Sequence, residues 1–225
     1  MNVTIFGTGN MARAIATRML AGGNSVTFLS RTPDKSAKIA QDLAPHAKKG
    51  ATIRVAALGS AIADPVVINT IWFHSAQDVI KAHSDQLKGK ILVDVTNPLD
   101  FSHGMPPSLT VANTGSMAER LQAALPETKV VKALNTLSSL LMVGPASLPG
   151  EHNLFIAGND PGAKVKVKAL LHQDFGWPEK AFLDLGDLSA ARGMEATLLL
   201  WVRLYGALGH ANFNWHINIG PAPQA

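Results

Sequence analysis

The chain has no cysteine, a single tyrosine, and only 6% aromatic and 16% charged residues across 225 positions. Without thiols there can be no disulfide, zinc-thiolate centre or cysteine nucleophile, which fits a reducing compartment; a cytoplasmic location is expected. Long uninterrupted apolar runs are also missing, so no membrane span is expected. The N-terminus enters an apolar strand at once, with no basic region and apolar stretch of a secretory leader. Charge of either sign is scarce. The formal balance of twenty Lys and Arg against sixteen Asp and Glu is +4. Its densest basic groups, Lys48-Lys49 and Lys164, Lys166 and Lys168, read as solvated faces rather than as a nucleic-acid surface. The eight histidines lack carboxylate companions at ligand spacing, so no metal site is expected. No Ser-His-Asp set or carboxylate pair stands out either, and no catalytic acid or base is assigned. Chemistry that depends on proximity and orientation remains.

What is present begins at the start of the chain. The apolar run Val3-Thr4-Ile5-Phe6 leads into Gly7-Thr8-Gly9-Asn10-Met11-Ala12, which opens into a helical pattern carried by Ile15, Met19 and Leu20. Gly22-Gly23-Asn24 then stops the helix, and Val26-Thr27-Phe28-Leu29 reads as a second buried strand. Strand, glycine turn, helix and strand make the unit that binds a dinucleotide. Gly7 permits the tight turn, Gly9 lets the backbone approach the pyrophosphate, and Ala12 allows helix and strand to pack closely. The anion is held by backbone N–H groups and the positive end of the helix.

The end of the second strand selects the dinucleotide. An NAD site usually carries Asp or Glu there, to accept from the ribose 2′-OH. This chain has Ser30-Arg31-Thr32-Pro33-Asp34-Lys35. The hydroxyls of Ser30 and Thr32 and the cations of Arg31 and Lys35 can all donate to a 2′-phosphate, so the expected cofactor is NADP. The modest positive charge suits such a polyanion.

Further strands are predicted at Ile53-Arg54-Val55, Val66 to Thr70, Ile91 to Val95 and Val130 to Leu134, alternating with helices. That alternation means a doubly wound, mostly parallel Rossmann sheet, with ligands at the carboxyl ends of its strands. The residues that follow those ends are Ile71, Trp72, Phe73 and His74, then Thr96-Asn97-Pro98, then Asn135-Thr136. Trp72 and Phe73 could cover the nicotinamide or pack on a neighbouring loop. Asn97 could meet a carboxamide or start a turn. Asn135 and Thr136 interrupt an apolar strand where the fold puts ligands. Phe101 to Val111, rich in Gly and Pro, reads as a surface loop or lid.

Residues 1–137 are expected to form the NADP-binding domain and 138–225 a smaller capping or dimerisation region. The latter should hold strands at Asn153 to Ala157 and Ala181 to Leu185, a helix from Pro161 to about Phe175, and a long apolar helix from Ser189 toward Leu208. A helix apolar nearly all round is buried, under the core or against another subunit; a homodimer contact is the expectation.

Taken together, Gly7-Thr8-Gly9-Asn10-Met11-Ala12, Ser30-Arg31-Thr32 with Lys35, Val93-Asp94-Val95-Thr96-Asn97-Pro98, Lys132-Ala133-Leu134-Asn135-Thr136 and the late Ala191-Arg192-x-x-Glu195 resemble the NADPH-dependent deazaflavin (coenzyme F-420) reductase family. The same fold serves as the NADPH domain of six-transmembrane metalloreductases. The resemblance implies hydride exchange between the nicotinamide C4 and a deazaflavin or flavin-like ring stacked on it. It also implies NADP contacts at Gly7, Thr8, Gly9, Asn10, Met11, Ser30, Arg31 and Lys35. The chain departs from the archaeal pattern at Asn135, which widens the expected acceptors to a flavin, a quinone or a small carbonyl compound. Gly9-Asn10-Met11-Ala12 also occurs in pyrroline-5-carboxylate reductases, whose all-helical C-terminal domain does not match the strand and helix alternation here. A reading from another class is an NADP-binding redox sensor without turnover.

Overall fold

In the strands, the two-residue period sorts apolar side chains onto two faces. Ile5 packs into one hydrophobic cluster with Ile15, Met19 and Phe28, and its neighbour Phe6 packs into the other with Leu29, Val67 and Ile80. The computed structural model describes residues 1–71 and 73–221, and the side chains of all of these except Lys35 and residues 73–75. Its elements run β1 (Val3–Phe6), α1 (Asn10–Ala21), β2 (Val26–Ser30), α2 (Pro33–Leu43), β3 (Ile53–Ala57), β4 (Val66–Asn69), α3 (Phe73–Lys81), α4 (Ser84–Leu87) and β5 (Ile91–Asp94). They continue with β6 (Leu99–Asp100), β7 (Ser108–Leu109), α5 (Met117–Ala124), β8 (Lys129–Ala133), α6 (Ser139–Val143), β9 (Leu154–Gly158), α7 (Pro161–Gln173), β10 (Phe182–Asp184) and α8 (Ala191–Leu208).

Among the described residues the main sheet has eight strands in the order β10-β9-β8-β5-β4-β1-β2-β3. From β3 across to β8 every pair is parallel, for example Ile5 beside both Phe28 and Ile68. The order reverses at β1 and β4, so the crevice outside their carboxyl ends is where such a sheet takes a ligand. The expected doubly wound fold is therefore present. β9 then turns antiparallel to β8 and β10 follows β9 in parallel, which extends the same sheet with its direction inverted.

Three features differ from the sequence reading. The Phe101 to Val111 stretch is not all loop: β7 within it pairs with β6 just before it, Leu99 opposite Leu109. Lys164 is not a solvated charge: its Nζ lies 2.7 Å from an Asp184 carboxylate oxygen and 2.9 Å from the Gly186 carbonyl, because α7 packs beside β10. Lys168 meets the other Asp184 oxygen at 3.1 Å. The long helix α8 is buried only through Ala191, Met194, Glu195 and Leu198, and beyond them Leu199, Leu200, Tyr205 and Leu208 face outward, Leu200 being 53% exposed. Its outer half is thus not covered by this chain's own core. No described helix is long and apolar enough to cross a membrane.

Candidate functional site

The turn between β1 and α1 is built on two glycines with different constraints. Gly7 has φ +103°, and a Cβ there would sit 2.7 Å from Thr70 Oγ1, which itself donates to the Phe6 carbonyl at 2.7 Å. Only glycine fits that place without strain. Gly9 has ordinary extended backbone (φ −74°, ψ −175°), and a Cβ built on it meets nothing within 4 Å. The space in front of Gly9 is therefore open. Gly9 is also the N-cap of α1, where no side chain caps the helix and the first turn carries no acidic residue. The leading N–H groups of α1 are left for an anion.

From that turn a cavity of about 330 Å³ extends across the ends of β2, β3 and β4. It brings together Gly7, Thr8, Gly9, Ser30, Arg31, Thr32 and Ile71, seven of the residues expected from the sequence, with Leu29, Leu58, Thr70 and Val79 added. Arg31 and Thr32 are exposed at its mouth beside the N-terminus of α2. Ser30 is turned inward. Its Oγ accepts from Thr32 N–H at 3.1 Å and lies 2.8 Å from Ser36 Oγ, so this hydroxyl shapes the loop that carries Arg31. Asn10 and Met11 lie in the first turn of α1. The side chain of Lys35 and all of Trp72 lie outside the described residues, as do the side chains of Phe73 and His74.

Asn97 and Asn135 form a second group at the carboxyl ends of β5 and β8. Asn97 Nδ2 donates to the Asn135 carbonyl at 2.8 Å, and Asn135 Nδ2 donates to Asn97 Oδ1 at 2.9 Å and to the Met194 carbonyl at 3.1 Å. Asn135 follows Leu134, whose φ of +64° is rare for a residue with a branched side chain. Asn135 Oδ1 is buried without a hydrogen-bond partner.

Beneath this group lies a buried ionic cluster that the sequence reading did not identify. Lys132 Nζ is 2.8 Å from Asp94 Oδ2 and 2.8 Å from Glu195 Oε1, and all three side chains are 0–1% exposed. Asp94 Oδ1 also accepts from Asn69 Nδ2 and from the Thr96 backbone and hydroxyl, and Lys132 reaches the Thr96 carbonyl. Glu195 Oε2 accepts from Met117 N–H at 2.8 Å, which places the carboxylate at the N-terminus of α5. The cluster thus fixes the Thr96–Asn97 turn, α5 and α8 to one another. Burial works against charge on Lys132, but the two carboxylates outweigh it and hold the ammonium pKa above its ordinary value. Burial pushes the Glu195 carboxyl up. The signal available in the sequence was a lysine and an aspartate inside otherwise apolar strands.

Arg192, one turn before Glu195, donates from Nε and Nη2 to Glu119 at 2.6–3.1 Å. This pairing, outweighing partial burial, holds the Glu119 carboxyl below its ordinary value of 4.5. A depressed carboxylate contributes stability above its unfolded pKa and loses it as pH falls through the folded one. Urea midpoints of the native chain and of Glu119→Gln should therefore differ at pH 7 and converge as pH falls below about 4.

A larger depression of about 730 Å³ lies along the opposite edge, near Lys129 and Asp160. Its carboxylates are already engaged, Glu119 by Arg192, Glu127 by Lys88 and Asp160 by Lys129, and it has no glycine turn for phosphate. Among the described residues no group of His, Asp and Glu could hold a metal ion.

Comparison with known proteins agrees with this geometry. The family profile "NADP oxidoreductase coenzyme F420-dependent" matches residues 2–98. The F420-dependent NADP reductase of Methanocaldococcus jannaschii is 30% identical over 211 residues, covering 91% of this chain and 92% of that protein. Metalloreductase STEAP3 of Rattus norvegicus is 33% identical over 86% of this chain, which spans only 36% of that protein's length. A solved structure from Arthrobacter sp. FB24, named as a candidate F420-dependent NADP reductase, is 39% identical with a TM-score of 0.88, covering 97% of this chain and 100% of its own. The chain belongs to the coenzyme F420-dependent NADP oxidoreductase family.

Proposed function

We propose that this chain binds NADP(H) across the carboxyl ends of its parallel strands and passes a hydride between the nicotinamide and a planar acceptor of the deazaflavin or flavin class. The observation that carries this reading is the open space before Gly9 at the uncapped start of α1, in a cavity that ends at Arg31 rather than at a carboxylate. Gly9 and the first turn of α1 would hold the pyrophosphate, and Arg31 with Thr32 the 2′-phosphate. Asn97, half-buried and held by Asn135, would orient the carboxamide. Bound NADPH supplies the hydride at C4. The protein's part is to position that atom and to keep water from it, for which no acid or base is needed when the acceptor is a redox ring. The names of the archaeal relatives support a deazaflavin as the acceptor.

Arg31→Ala should raise the Kd for NADPH roughly 10- to 100-fold while leaving that for NADH within about twofold, because only NADPH carries the 2′-phosphate. Fluorescence titration of both nucleotides measures it, and equal losses would remove the assignment. The acceptor is tested by following nicotinamide absorbance with coenzyme F420, flavins, quinones and imines. Turnover with F420 or a flavin supports the proposal. Tight NADPH binding with no turnover on any acceptor would make the chain a redox sensor, and turnover on imines alone an imine reductase.

The same reading includes a cytoplasmic homodimer. The exposed Leu199, Leu200, Tyr205 and Leu208 on one projecting helix support the second copy. A monomeric mass in sedimentation at micromolar concentration would exclude it.

A further inference from the structure

We infer that His83 positions the adenosine end of the cleft, acting through the two apolar residues that wall it. This rests on the NADP reading above, since the cavity across the ends of β2 and β3 is the half of a doubly wound site that takes the adenosine ribose.

His83 is 5% exposed and follows the C-terminal end of α3. Its Nε2 lies 2.9 Å from the Gly59 backbone nitrogen, whose N–H can only donate, so Nε2 is the unprotonated nitrogen. The ring proton is therefore on Nδ1, which donates to the Val79 carbonyl at 2.7 Å. The imidazole edge packs on Phe6 with centroids 5.0 Å apart and planes at 75°. One neutral ring thus ties the turn after β3 to α3. Leu58, immediately before Gly59, and Val79 are the residues that these two bonds hold, and both line the cavity.

Besides His83, the turn is held by Gln86 Nε2 donating to the Gly59 carbonyl at 3.4 Å and by Ser60 N–H donating to the Ala57 carbonyl at 3.1 Å. Gly59 has φ +93°, Leu58 N–H donates to the Ser30 carbonyl at 3.0 Å, and Gln86 accepts from Ile62 N–H at 2.9 Å further along. Releasing the Gly59 bond would remove the link between this exposed residue and α3 and let Leu58 move relative to Val79. The slot between them would lose its width. His83 touches no cofactor atom in this scheme, so it is a positioning residue.

Asparagine and glutamine separate the two bonds. The amide of Asn occupies the place of Nδ1 and keeps the contact to Val79 but cannot reach Gly59, whereas Gln places its oxygen near Nε2 and keeps Gly59. His83→Asn should raise the Kd for NADPH and for adenosine 2′,5′-bisphosphate by the same factor, about tenfold, by calorimetry. His83→Gln should bind both within about twofold of the native chain. Melting temperatures of the two variants are measured first, and the titrations are run at a temperature at which both are folded. Equal Kd values in the Asn and Gln variants, or weaker binding by Gln than by Asn, would overturn the inference. If the native chain binds neither nucleotide, the NADP reading fails instead.

Discussion

Lys132→Met is expected to cost about 3–5 kcal/mol of folding stability, because it leaves the carboxylates of Asp94 and Glu195 facing each other in a site closed to water. In a chain of this size that is a fall in Tm on the order of 10 °C. The methionine fills much the same volume, so the loss reports charge rather than a cavity. The deficit should shrink as pH is lowered, since protonating Glu195, already raised by burial, removes the uncompensated charge. Adding Glu195→Gln should recover part of the loss while keeping an oxygen for the N-terminus of α5. Denaturant titrations of the single and double variants between about pH 5 and 8 give the comparison. A deficit under about 1 kcal/mol would mean that the pair contributes no more than a surface ion pair.

Gly9→Val should behave in the opposite way. The backbone there is open to any residue and a Cβ built on it meets no protein atom within 4 Å, so stability should stay within about 0.5 kcal/mol of the native chain. The same side chain fills the approach to the leading N–H groups of α1. Losing two charge-assisted hydrogen bonds to the pyrophosphate lowers NADPH affinity roughly 100-fold or more. Gly7→Ala supplies the contrast: positive φ and the 2.7 Å clash with Thr70 Oγ1 should cost about 1–3 kcal/mol of stability before any ligand is added. Native-like NADPH binding by a folded Gly9→Val chain would place the pyrophosphate elsewhere.

The contrast between these sites tracks what could be read from residues alone. The turn at Gly7 to Ala12 and the loop Ser30-Arg31-Thr32 are local, so spacing and residue type revealed them, and the cavity joins the two. The parallel order from β3 to β8 followed from alternation. The inversion at β9 did not, because an apolar run such as Leu154 to Ala157 carries no mark of direction. Nor could Lys132 be matched to Glu195, far along the chain, until α8 packed on α5. His83 depends on Gly59 across the fold in the same way. Asn97 and Asn135 were singled out separately, and folding pairs them.

The inverted end of the sheet also bears on how copies of this protein avoid one another. A sheet that closes on no barrel leaves two open margins, each able to template a foreign strand. At one margin β10 is three residues long and ends at Asp184, held between Lys164 and Lys168. At the other, β3 carries the exposed Arg54 as its second residue. Short length at the β10 margin and a charged side chain at each margin discourage strand-to-strand polymerisation.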